Sequence, residues 1–218
     1  MPKTIFENCR RILRPFVGYA RHHPLVTFFT GEGHPQWGRI IMDKATQDLV
    51  GALSYKEFET LEISGNQWKD FGFKSYQQAR YPEYDICKSP PVGSYDLIIA
   101  EQVFEHLLWP YRAVRNVFAM LRPGGYFLIT TPFLVRIHDH PVDCTRWSEV
   151  GLKHFLAEGG FPLDRMQTGS WGNQACVKAN LNKKSKWIGY CSWRHSLENE
   201  PVFPLHVWAL ALRPKWTD

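Results

Sequence analysis

Ser94-Tyr95-Asp96-Leu97-Ile98-Ile99-Ala100-Glu101-Gln102-Val103-Phe104-Glu105-His106-Leu107, and then Met120-Leu121-Arg122-Pro123-Gly124-Gly125-Tyr126-Phe127-Leu128-Ile129-Thr130-Thr131-Pro132, are the stretches that decide the fold. Tyr95–Ala100 and Tyr126–Thr131 are strand-length runs, apolar without alternation, so each predicts a strand buried on both faces. Between them Val114, Val117, Phe118 and Leu121 recur at i, i+3, i+4 and i+7, one stripe of a helix. Arg122-Pro123-Gly124-Gly125 ends that helix, because proline forbids its continuation and glycine supplies the turn.

Outward from this centre the pattern continues. Thr60-Leu61-Glu62-Ile63 reads as a buried strand entering a turn at Ser64-Gly65-Asn66. Ser148 caps a helix carrying Leu152, Phe155 and Leu156 and closed by Gly159-Gly160. Pro204–Leu212 reads as a last strand, and Ile41, Ala45, Leu49 and Ala52 recur at helical spacing. Doubly buried strands alternating with helices predict a mostly parallel α/β sheet. Ligands in such sheets bind beyond the carboxyl ends of the strands, so the residues following Ile63, Ile99 and Thr130 are the ones to examine. Residues 1–58 read as an N-terminal helical cap on a core of residues 59–218, with an insertion near 181–202 as a further wall.

Composition narrows the class. At 218 residues, with 44% hydrophobic and 22% charged residues, the chain is ordinary globular material. Five scattered cysteines without a Cys-x-x-Cys pair argue for reduced thiols, a cytoplasmic setting and no zinc ribbon. No apolar stretch reaches the roughly 18 residues of a membrane span. The first thirty residues are Arg-rich, but three prolines and no serine fit a transit peptide poorly. The net charge of +5 is mild, and its excess, near the N-terminus and at Lys183, Lys184 and Lys186, reads as a solvated face rather than a nucleic-acid groove.

The Ser94–Phe133 stretch resembles class I S-adenosylmethionine (SAM)-dependent methyltransferases, above all the branch that modifies small molecules and sugars. Its Tyr-Asp-apolar strand, its Glu-His-apolar signature and its Leu-Arg-Pro-Gly-Gly turn carry the likeness, which extends over about residues 60–161. The resemblance implies a Rossmann-like, mostly parallel sheet of the seven-stranded type flanked by helices. It places SAM against Glu62, Ser64, Gly65 and Asn66, where the family keeps an acid and a glycine loop, and against Asp85 and Ile86 at the adenine. Ala100-Glu101-Gln102 and Glu105-His106 match the segment beside the sulfonium and the carboxypropyl arm. Two departures stand out. Ser64, Asn66 and Trp68 replace the family glycines, and only 28 residues separate Asn66 from Gly93 inclusive, too few for two helices and two strands. The middle is therefore shortened, and no acid marks the ribose site, where Gln77 or Gln78 substitutes or the contact is missing.

Methyl transfer needs proximity and alignment, plus a base where the acceptor is a hydroxyl. The polar cluster after the Tyr126–Thr131 strand supplies candidates. His138 or His140 reads as a base or as a plain loop residue, and Asp143, Arg146 and Trp147 as acceptor contacts or as a pair that pins the loop. Trp37, Trp171 and Trp193 are pocket-wall candidates, two of them at least as readily packing residues. His138, Asp139, His140 and Asp143 have ligand chemistry, but no second cluster completes a site, so no metal is expected. Ala100-Glu101-Gln102-Val103 stands where adenine- and amide-methylating enzymes carry Asn/Asp-Pro-Pro-aromatic, which argues against those acceptors. The expected activity is methylation of a small polar metabolite, an oxygen of a sugar or a natural-product intermediate. The rivals are an RNA methyltransferase and a non-catalytic relative that keeps the fold for assembly or regulation.

Overall fold

Six strands form one sheet in the order β2-β1-β3-β4-β6-β5 in the computed structural model, which describes residues 35–88, 93–139, 141–181 and 187–215. The strands are β1 (Glu59–Ile63), β2 (Ser75–Ala79), β3 (Tyr95–Glu101), β4 (Leu121–Pro132), β5 (Met166–Trp171) and β6 (His206–Leu212). β2, β1, β3 and β4 run parallel to one another, while β6 lies antiparallel to both β4 and β5. Four α-helices complete the fold among the described residues: α1 (Ile40–Gly51), α2 (Pro110–Met120), α3 (Glu149–Glu158) and α4 (Gln174–Leu181).

The unbroken apolar run of β3 is explained by helices on both faces. Ile98 and Ala100 face a core shared with Val114 and Val117 of α2 and Leu152, Phe155 and Leu156 of α3. Leu97 and Ile99 face the opposite side, with Val50 of α1 and Trp68. Period-2 alternation thus divides one strand between two cores.

The sheet has six strands rather than seven, and no helix lies between β1 and β3 among the described residues. The short middle has room for β2 alone. β2 sits at the sheet edge and is mostly exposed, so its Ser-Tyr-Gln-Gln-Ala carries no apolar pattern. β5 and α4 likewise gave no periodic signal. The stripe of α1 is also turned by one position from the expected one. Met42, Thr46 and Val50 are the buried residues, and Ala52 lies beyond the helix and exposed. Thr46 is tolerated there because its hydroxyl donates to the Met42 carbonyl at 2.9 Å.

The Arg122–Gly125 turn lies inside β4. Leu121 pairs with Tyr95 and Tyr126 with Leu97, so four residues loop out opposite Asp96. Gly124 is left-handed at φ +86°, and a Cβ on Gly125 would stand 2.9–3.1 Å from three backbone oxygens. Arg122 reaches back to Asp96 at 2.7 Å and Glu59 at 2.6 Å, tying the amino ends of β3 and β1 to this bulge.

The expected Ser148 cap is formed: its Oγ accepts from the Gly151 amide at 3.2 Å. Ser148→Ala should destabilise the protein by about 1 kcal/mol, and Ser148→Asp by much less, read as shifts in the urea midpoint at unchanged slope.

Candidate active site

The chain passes from β1 outward to β2 and then back to β3 on β1's other side, so the sheet's switch point lies between β1 and β3. Among the described residues, two non-glycine residues have left-handed backbone, Ser64 at φ 61° and Gln102 at φ 55°. They follow β1 and β3 directly, one on each side of that crevice. Strain of this kind persists where the surroundings enforce it, and it concentrates at ligand sites. Ser64 and Asn66 are exposed at the end of β1, where a bound cofactor would meet the loop backbone.

Glu62 organises this loop. The side chain is fully buried, yet its oxygens are satisfied: Oε1 accepts from the Gln67 amide at 3.1 Å, and Oε2 from the Trp68 amide at 3.1 Å and the Tyr76 hydroxyl at 2.6 Å. Burial and the Glu62 charge hold the Tyr76 phenol above its usual range, so it donates. Gly65 is required by this carboxylate in the first instance, since a Cβ there would lie 2.0 Å from Glu62 Oε1. Trp68, in the place of the family's last glycine, donates through Nε1 to Glu101 Oε2 at 2.9 Å. The other oxygen of Glu101 pairs with Arg39, which also holds Asp43 at 3.1 Å.

The remaining expected cofactor contacts are spread along the same edge. Gln78 donates to the Gly65 carbonyl at 2.5 Å, while Gln77 accepts from Tyr95. Of the two glutamines it is therefore Gln78 that stands beside the loop. Asp85 is half-buried and accepts from the Cys87 amide at 2.9 Å, next to buried Ile86. The left-handed turns, the accessible loop and the polar groups at the ends of β1 and β3 fit SAM.

Beside this edge, over the ends of β3 and β4 and the start of β6, lies a cavity of about 200 Å³. Gln102 and His106, expected at the cofactor, and His138, a candidate base, line it with Arg39, Glu105 and His206. Gln102 is anchored by its side-chain amide, which donates to Thr130 Oγ1 at 3.1 Å. Glu105 is fully buried, and neither of its oxygens has a hydrogen-bond partner among the described residues. Burial pushes its carboxyl up to about 7. Burial lowers His138 as well, and takes His206, whose Nδ1 is also unpartnered, down to about 3.

Asp143 and Arg146 form a two-toothed ion pair, and Asp143 also accepts from the His138 amide at 2.9 Å. Burial opposes the charge on Asp143, but the Arg146 guanidinium and the His138 amide outweigh it and hold the carboxyl below its usual range. The pair shapes the loop that presents His138 and does not line the cavity. Trp147 turns onto Phe155 at 4.7 Å, inside the core. Trp37 is buried too, stacked on His195 at 4.1 Å. Neither tryptophan stands in the cavity wall, because each large ring is taken up by core packing. Trp171 is 1% exposed and packed, and Trp193 is 64% exposed. The aromatic in the wall is instead Trp187, from the 181–202 segment, under the Arg136 guanidinium at 4.5 Å. His140 lies outside the described residues. Gln36, Arg39, Pro132, Trp187 and His206 were not read as site residues. Glu105 was read through the Glu-His signature, and Trp187 lies in the 181–202 segment expected as a further wall.

Gly65→Ala should displace the Glu62 carboxylate, lowering the thermal midpoint and weakening SAM binding at least tenfold by calorimetry. His206 adds a pH dependence. Its folded pKa lies below the ordinary 6.5, so the unfolded chain binds the extra proton and stability falls as pH drops from about 6.5. Wild type should therefore lose stability more steeply between pH 6.5 and 4 than His206→Asn, measured by denaturant midpoints.

A family model described as a methyltransferase domain matches residues 35–167. A Mycolicibacterium smegmatis protein named as a probable S-adenosylmethionine-dependent methyltransferase is 41% identical over 102 residues, covering 41% of this chain. The chain spans 40% of that relative's length. A Galdieria sulphuraria structure, provisionally assigned as a sarcosine dimethylglycine methyltransferase, has a TM-score of 0.54 at 14% identity, over 81% of this chain and 86% of that one. A Thermotoga maritima SAM-dependent methyltransferase, described as a possible histamine N-methyltransferase, has a TM-score of 0.52 at 12% identity, over 93% and 99% of the two chains. At such identities the likeness is one of fold. Among the described residues no helix is long and apolar enough to cross a membrane. With the family model covering more than half of its length, the chain belongs to the methyltransferase-domain family, whose methyl donor is SAM.

Proposed function

We propose that this protein transfers the methyl group of SAM to an oxygen of a small polar acceptor, a sugar or natural-product hydroxyl, seated in the cavity over β3, β4 and β6. The observation that carries this reading is the wall of that cavity. Glu105 offers two acceptor oxygens with no partner among the described residues, and the His106 and His138 imidazoles stand beside it. Such a wall suits a ligand that brings O–H donors. Bound SAM supplies a methyl group activated by its positively charged sulfur. Ser64, Gly65, Asn66, Asp85 and Ile86 would hold it on the β1 side, with Gln102 and His106 between donor and acceptor. Glu101 contributes indirectly, because Trp68 and Arg39 already occupy its carboxylate.

The chain's own work is alignment and removal of the acceptor's proton. Asp143 and Arg146 hold the His138 loop, Gln102 is fixed by Thr130, and Trp187 closes one side. No observation favours an RNA acceptor. The basic residues that motivate it, near the N-terminus and at 183–186, lie outside the described residues, and Arg39 in the cavity is already paired with Glu101 and Asp43.

Calorimetric titration with SAM and S-adenosylhomocysteine is the first test, followed by transfer of labelled methyl groups to hydroxyl-bearing small molecules. Saturable binding of both nucleosides and incorporation into one acceptor class are expected. His138→Asn should cut turnover by about 10²-fold or more while leaving SAM affinity within a few-fold. A folded protein that binds neither nucleoside would overturn the reading and favour a non-catalytic role.

A further inference from the structure

We propose that Glu105, His106 and His138 form a binding site for one divalent transition-metal ion at the floor of the cavity. Each of the three residues offers a ligand atom, and these atoms lie within 4.8 Å of one another. His106 Nε2 is 3.6 Å and His138 Nε2 3.9 Å from Glu105 Oε1. These separations are too long for hydrogen bonds. They are close to the roughly 3–3.5 Å that separates donors sharing one ion at about 2.1 Å.

The surroundings prepare each donor. The His106 Nδ1 meets the Val142 carbonyl at 2.5 Å, which places its proton there and leaves the lone pair on Nε2. The His138 Nδ1 lies 3.1 Å from Asp143 Oδ2 and 3.3 Å from the Arg136 carbonyl. Arg146 Nη2, a donor, is farther at 3.4 Å and already engaged by Asp143, so the two nearer acceptors fix the proton on Nδ1 and again free Nε2. A carbonyl or carboxylate behind each imidazole is the arrangement that orients metal-bound histidines. Glu105 is the independent indication. It is fully buried at the cavity, with both oxygens unpartnered among the described residues, an arrangement a bound cation would satisfy.

Two imidazoles and one carboxylate suit zinc, iron(II), manganese(II) or nickel(II) better than magnesium or calcium, which prefer oxygen donors. Three protein ligands leave positions open toward the cavity. Binding of the ion does not depend on the methyl-transfer reading. If that reading holds, the open positions would receive the acceptor oxygen, and the ion would promote loss of its proton.

The test uses the full chain, stripped with a chelator and titrated with cobalt(II), with visible absorption and calorimetry read together. One ion per chain with a saturable visible band is expected, and zinc should displace it. Glu105→Gln and His138→Asn should each weaken binding at least tenfold, and Asp143→Asn, which acts through His138, by about ten- to a hundredfold. His154→Ala, at an exposed histidine, should leave binding unchanged. Circular dichroism and a SAM titration on each sample establish folding. Wild-type cobalt affinity in a folded Glu105→Gln/His138→Asn double variant would overturn the site, as would no saturable binding by folded wild type. SAM binding without metal binding sinks this site alone. Metal binding without SAM binding sinks the methyltransferase reading alone.

Discussion

The buried Glu62 carboxylate is the constraint on which the rest of the site depends. A charge removed from water must be matched, and here two backbone amides and one phenol match it. That demand curls residues 64–68 back over the end of β1, holds Ser64 in a left-handed turn and leaves no room for a side chain at Gly65. It also delivers Trp68 to Glu101, and Glu101 in turn holds Arg39 at the cavity wall. One chain of polar contacts thus runs from the loop after β1 to the cavity over β3, β4 and β6. A change at either end has a direct path to the other.

The shortened middle is compensated by aromatic packing. With no helix between β1 and β3 among the described residues, Trp68, Phe71 and Phe73 with Tyr55 form a cluster, Trp68 and Phe71 meeting at 4.9 Å and Phe71 and Phe73 at 5.4 Å. This cluster packs on the face of Leu97, Ile99 and Leu128. Large rings bury much apolar area per residue, so an irregular segment can close this sheet face without a helix. Part of the chain's high aromatic content is therefore structural, and counting tryptophans did not reveal which one faces a ligand.

The candidate site was legible in proportion to how locally it is built. Ser64 and Gln102 directly follow strand ends, Glu62 is the penultimate residue of β1 and His106 lies shortly after β3, and a strand end is visible as the place where an apolar run stops. His138 was visible as part of a polar cluster after β4. Trp37 and Trp147 looked the same in sequence whether they faced a ligand or the core, and packing decided for the core. Asp143 and Arg146, three residues apart, were open to two readings until their side chains were seen to pair beneath the His138 loop. His206 starts β6, which inserts between β4 and β5, and Trp187 is placed where Ile188 and Tyr190 bond back to Trp37 and Pro35; neither long-range contact is written in local pattern.

By itself, the sequence determined the layered α/β fold, the two central strands, the helix between them, the Ser148 cap and the family. Each of these rests on periodicity or on chemistry confined to a few neighbouring residues. The tertiary structure decided the strand count, the face of α1 that is buried and the meeting of Glu105 and His106 with His138. Those two segments lie more than thirty positions apart, on the loops after β3 and β4, and only the parallel pairing of these strands brings them within 4 Å. Proximity across a sheet is set by register and burial, and neither is written in local pattern.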